Sequence, residues 1–179
     1  FLTMIFWSFG FLRMGTVGIV SQAFGKGDYR EIIRTLLRNF IIAMVIASFI
    51  IILKPLINLS IQQFFNTSLE MQKLINTYLS VRVFSVPAEL IIYILVGFYL
   101  GIQKTKISSL MIIILSILNI VLSSILVLSY NLDILGVALG TLLASFLTVI
   151  IFTLYTYKFI VKKFKLIPRF EKIIIKSKL

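Results

Sequence analysis

Within stretches that are otherwise apolar, the sequence places one glutamate, one arginine and a few neutral oxygen side chains. Glu89, in Ser85-Val86-Pro87-Ala88-Glu89-Leu90, is the one acidic residue well inside such a stretch. A carboxyl in so dry a place is a candidate to take a proton or a cation. Pro87 beside it removes a helix hydrogen bond and frees a carbonyl about a turn earlier, so a kink is expected. The competing reading has Glu89 high enough in the helix to meet solvent. Arg13, in Phe11-Leu12-Arg13-Met14-Gly15-Thr16, lies near the middle of the first stretch. A charge at that depth costs at least ~2.5 kcal/mol on insertion scales and must face a cavity or a partner. It either serves function or fixes helix packing. Asn119 and Ser123 fall at i and i+4, on one helix face, and Thr141 is on the next helix. An amide and two hydroxyls converging in a bundle hold an ion, orient a proton-carrying water, or simply tie helices together. Gln22 completes the set of cavity candidates. Small residues cluster at Gly15-Thr16-Val17-Gly18 and at Gly136-Val137-Ala138-Leu139-Gly140-Thr141, where helices are expected to approach closely.

Other chemistry is excluded by composition. The chain has no Cys and no His, hence no disulfide, thiol nucleophile, imidazole base or usual zinc site. There is no GxxxxGK[ST] phosphate loop and no strand for a GxGxxG turn to follow. A membrane enzyme would need a nucleophile–base pair or metal ligands inside the bundle, and one carboxylate supplies neither. No catalytic residue, resident metal or organic cofactor is expected.

The elements that must carry these residues follow from the length and the apolar content. Of 179 residues 60% are hydrophobic and 13% charged, too little polar surface to cover a soluble sphere of this size. Five stretches, about 1–24, 36–59, 78–100, 107–130 and 133–159, are long enough to cross a ~30 Å hydrocarbon layer as helices. Helices satisfy their own backbone in lipid, and the alternation of a membrane barrel is absent, so the expected class is an all-α polytopic membrane bundle over 1–160. A basic tail, 161–179, follows; it is either an interfacial amphipathic helix or a plain basic loop.

Charge sets the orientation. On one side of a five-span topology lie Lys26, Arg30, Arg34, Arg38, Lys104, Lys106 and the basic residues from Lys158 to Lys178, fourteen in all. The other side carries Lys54, Lys73 and Arg82. The first group, and the tail with it, is therefore expected in the cytoplasm of a cell whose plasma membrane holds the protein. The net charge of +12 is then an orientation signal beside anionic lipid, and nucleic acid is not an expected partner. The chain opens Phe1-Leu2-Thr3-Met4 inside an apolar run, without the basic leader of a signal peptide. A fragment that lacks a preceding helix is expected, with one more span making six.

The run from Phe11 through Thr16 to Gly25 resembles the second helix of the MATE (multidrug and toxic compound extrusion) family, and its FLRMGT start the DinF-like branch. In order along the chain follow Arg82-x4-Pro87, Gly97-x3-Gly101, Leu118-Asn119-Ile120-Val121-Leu122 and Gly136-Val137-Ala138-Leu139-Gly140-Thr141. The resemblance spans essentially the whole chain, as helices two to six of a twelve-helix transporter. It implies an antiporter that exports organic compounds in exchange for Na⁺ or H⁺, with two six-helix lobes alternating around a central cavity. The partners implied are small organic substrates, membrane lipid, a first helix and a second lobe. In related members a first-lobe cation site uses an Asp on helix one, an Asn on helix four, an Asn and an Asp on helix five and a Thr on helix six. Asn119 and Thr141 match two of these, whereas Ser123 stands for the helix-five Asp and Ile92 for the helix-four Asn. A site without that carboxylate binds Na⁺ poorly. Coupling would then rest on helix one, on Glu89 or on the second lobe. A flippase for a lipid-linked precursor, the alternative within the same superfamily, needs several cavity-facing basic residues, and Arg13 stands alone.

Overall fold

The computed structural model describes residues 9–56 and 68–164, and within them the chain is helical almost throughout. The helices are α1 (Gly10–Gly25), α2 (Tyr29–Ile52), α3 (Leu69–Arg82), α4 (Val86–Gly101), α5 (Thr105–Leu128) and α6 (Asp133–Phe164). A 3₁₀ turn, Val83–Ser85, joins α3 to α4. Local sequence explains the starts and stops. The Asp28 carboxylate caps α2 by accepting from the Glu31 backbone N–H at 3.0 Å, and Ser68 caps α3 by accepting from Met71. The reversals after α4 and α5 put Gln103, Asn131 and Asp133 at positive φ.

The helix bounds differ from the apolar stretches at both ends: most helices start earlier, while α2 stops at Ile52 rather than at 59 and α5 at Leu128 rather than at 130. α2 begins at Tyr29 rather than at Leu36, so Arg30, Arg34 and Arg38 ride on its exposed first turns. Arg34 and Arg38 both reach Glu31, at 3.7 and 3.5 Å. The third stretch is preceded by helix from Leu69, and α6 continues to Phe164, into the start of the expected tail. The rest of that tail, and the beginning of the first stretch, lie outside the described residues. Among the described residues, four helical segments are long and apolar enough to cross a membrane: Tyr29–Ile52, Glu70–Gly101, Thr105–Leu128 and Asp133–Phe164.

α4 is the axis of the bundle. Leu90, Ile94, Leu95, Phe98 and Tyr99 on it are fully buried, packed between α1, α2 and α6. Two pairings are intimate. α1 lies on α4 because Gly97 and Gly101 present no side chain to it: a Cβ at Gly97 would stand 2.7 Å from the Arg13 carbonyl oxygen. α5 lies on α6 in the same way, through Gly136 and Gly140. The glycines at 15 and 18, which the sequence also marks for close packing, have no described atom within 4 Å of a Cβ and so do not serve it. Tyr99 shares a buried 2.7 Å hydrogen bond with Thr156, tying α4 to α6, and Tyr29 stacks on Phe164 at 4.4 Å to fix the end of α6. By contrast α5 buries little beyond Ser108 and Met111, leaving Ile112, Ile113, Ile117, Ile120 and Val121 outward. An apolar face of that extent belongs in lipid or against further helices.

Candidate functional site

Among the described residues, the candidate polar side chains other than Gln22 fall into three groupings. The first joins α5 and α6. The Ser123 hydroxyl donates to Asn119 Oδ1 at 3.1 Å, and Thr141 Oγ1 lies 3.4 Å from the same oxygen. Thr141 also reaches the Val137 carbonyl at 2.9 Å, so its single hydrogen has two acceptors to choose between. The three side chains are half-buried, and the glycine at 140 sets them this close: a Cβ there would stand 2.3 Å from Ser123 Oγ. The convergence expected from the i, i+4 spacing and the next helix is therefore present. It consists of neutral oxygens and one amide, without a carboxylate.

The second grouping sits at the α3–α4 junction. Arg82 forms an ion pair with Glu89 and bonds the Ser85 hydroxyl, and Ser85 lies 2.7 Å from the Arg82 carbonyl and 3.2 Å from Glu89 Oε1. The Arg82 and Glu89 side chains are 13% and 16% exposed, so the pair is largely shielded from water. Glu89 is thus neither an isolated buried acid nor a solvated one. Pro87 falls in the first turn of α4, where its missing N–H is not needed, and the irregularity is taken up by the 3₁₀ turn ahead of it. Lys54 stands close by, donating to the Ser80 carbonyl at 3.4 Å with the Phe84 ring 5.5 Å away.

The third grouping surrounds Arg13. With Gly10, Met14 and Tyr93 it lines a cleft of about 220 Å³ between α1 and α4. Among the described residues Arg13 has neither an ion-pair nor a hydrogen-bond partner. Gln22 is exposed near the end of α1 and joins none of the three groupings.

Some polar contacts escape a reading of the sequence. Asn39 donates to Thr16 Oγ1 at 2.7 Å, and Thr16, fully buried, donates to the Leu12 carbonyl at 2.6 Å. Thr156 and Tyr99 form the buried bond already described. Each pair is distant in sequence, and no local spacing announces it. An apolar cavity of about 240 Å³ between α2, α4 and α6 is lined by Leu36, Phe40, Leu95 and Thr153, whose hydroxyl has no hydrogen-bond partner among the described residues.

Against known proteins, the MatE family model matches residues 1–125. The chain is 31% identical over 142 residues to the DNA damage-inducible protein F of Escherichia coli (strain K12), covering 79% of this chain and 31% of that protein. An outward-facing multidrug resistance MATE family transporter of the MOP superfamily superposes with a TM-score of 0.81 at 21% identity, over 97% of this chain and 38% of its own. An inward-facing form gives 0.76 over 82% of this chain and 33% of its own, again at 21% identity. A MOP superfamily transporter from Pyrococcus furiosus, described as having a binding pocket of reverse polarity, gives 0.82 at 20% identity, over 97% of this chain and 38% of its own. The chain thus spans about a third of the length of the proteins it matches.

Proposed function

Because the chain belongs to the MatE family, a family of multi-pass membrane transporters, we propose that it forms most of the first lobe of a cation-coupled exporter of organic compounds. The coupling ion is H⁺ or Na⁺, and the direction of export is out of the cytoplasm across the plasma membrane. The observation that carries the reading is the meeting of Asn119, Ser123 and Thr141 between α5 and α6. Their carbonyl and hydroxyl oxygens can replace part of an ion's hydration shell or hold a proton-bearing water inside the bundle. Neutral oxygens bind a hard cation weakly, so a carboxylate from elsewhere in the transporter completes the site. The Arg82–Glu89 pair reads as a fixed tie across the α3–α4 junction.

The test is efflux of ethidium by the full-length protein in proteoliposomes, driven by an imposed H⁺ or Na⁺ gradient. One of the two gradients is expected to drive efflux, and Asn119→Ala combined with Thr141→Val is expected to slow it roughly tenfold, the scale of an ordinary coupling energy. Absence of efflux under both gradients refutes the exporter. Full efflux in the double variant removes the polar trio from the ion path.

A further inference from the structure

We propose that the cleft between α1 and α4 at Arg13 and Tyr93 binds the carboxylate or sulfonate of a singly charged organic anion. The inference rests on the transporter reading and names a substrate class for it. Arg13 lies about 18 Å along α1 from the helix end at Gly25, well inside a hydrocarbon layer. Helical side chains lean toward the helix N-terminus, which carries the guanidinium past its own backbone contact with Gly97 to the level of Tyr93.

The charges on this side of the bundle do not cancel. Glu89 is taken by Arg82, with Lys54 beside that pair on the Ser80 carbonyl, so no described carboxylate neutralises Arg13. An intramembrane charge of this kind is retained when something of opposite sign visits it. A guanidinium presents a planar fork of donors that fits a carboxylate with two parallel hydrogen bonds. The Tyr93 phenol, half-buried and without a hydrogen-bond partner among the described residues, adds a donor at the cleft wall. Met14 supplies an apolar surface for the body of the ligand. One arginine matches one negative charge; a pyrophosphate would need more.

The experiment compares benzoate with benzylammonium, ligands of the same ring and opposite charge, by equilibrium dialysis of radiolabelled forms against the full-length protein in lipid nanodiscs. Wild type is expected to bind benzoate, and Arg13→Gln to weaken it roughly tenfold or more, the scale of a charged hydrogen bond. Arg13→Lys is expected to fall between, Tyr93→Phe to weaken binding by a smaller factor, and benzylammonium to be indifferent to all three. Equal benzoate affinity in wild type and Arg13→Gln overturns the proposal. So does a wild type that ignores benzoate while still expelling ethidium, an outcome that leaves the exporter standing. Should Arg13→Gln fail to give a cooperative thermal transition, the Lys and Phe variants decide, and unchanged benzoate binding in both overturns the site.

Discussion

Glu89 reaches back across the 3₁₀ turn ahead of its helix to the Arg82 guanidinium, and that contact decides how a substitution there will read out. Removing one partner of a shielded pair strands the other charge. Glu89→Gln is therefore expected to destabilise the bundle by about 3 kcal/mol. Replacing both residues, Arg82→Met with Glu89→Met, is expected to recover most of that loss, because an apolar pair of similar volume does not have to be desolvated. Reversible unfolding of the full-length protein in mixed micelles measures both. A neutral Glu89→Gln would mean that water already reaches the pair. The sequence shows Glu89 and Pro87 as expensive, but not that Arg82 and Ser85 share the charge, since that depends on the turn between them. Asn119, Ser123 and Thr141 are easier to foresee because two lie on one face and the third lies on the adjoining helix, across a short reversal. Asn39 and Thr16 are 23 residues apart, on helices whose relative rotation no spacing specifies.

Among the helices, a glycine matters by what stands opposite it. At Gly140 a Cβ would meet Ser123 Cα and N at 2.6 Å, backbone that cannot move aside without parting α5 from α6. Gly140→Ala is expected to cost about 1–3 kcal/mol through overpacking and to disturb the Asn119 cluster with it. Gly18→Ala, facing no described atom within 4 Å, is expected to be neutral or to gain up to about 1 kcal/mol of helix propensity. Thermal unfolding of the two variants side by side checks the contrast, and equal effects would refute it. Both glycine clusters look alike as sequence, and only the opposing helix separates them. Helix ends are obscure for a related reason. An apolar run records the length immersed in lipid, whereas Arg30 and Arg34 extend α2 into water, where exposed basic side chains cost nothing.

For the whole molecule, the long apolar helices are legible from the start, because the bilayer imposes them before any tertiary contact forms, and the basic residues add an expected sidedness. The sidedness makes its own prediction. This stretch has no native cysteine, so single cysteines introduced at Lys26 or Lys162 should resist an impermeant maleimide added to intact cells, and one at Lys73 should react. Labelling in the reverse pattern would invert the topology. The close pairing of α5 with α6 has a further consequence, for synthesis. Two long greasy helices joined by a short reversal can leave the insertion channel together as one hairpin. Asn119, Ser123 and Thr141 then enter the acyl chains already satisfied by one another, and no amide or hydroxyl of the trio has to cross that boundary alone.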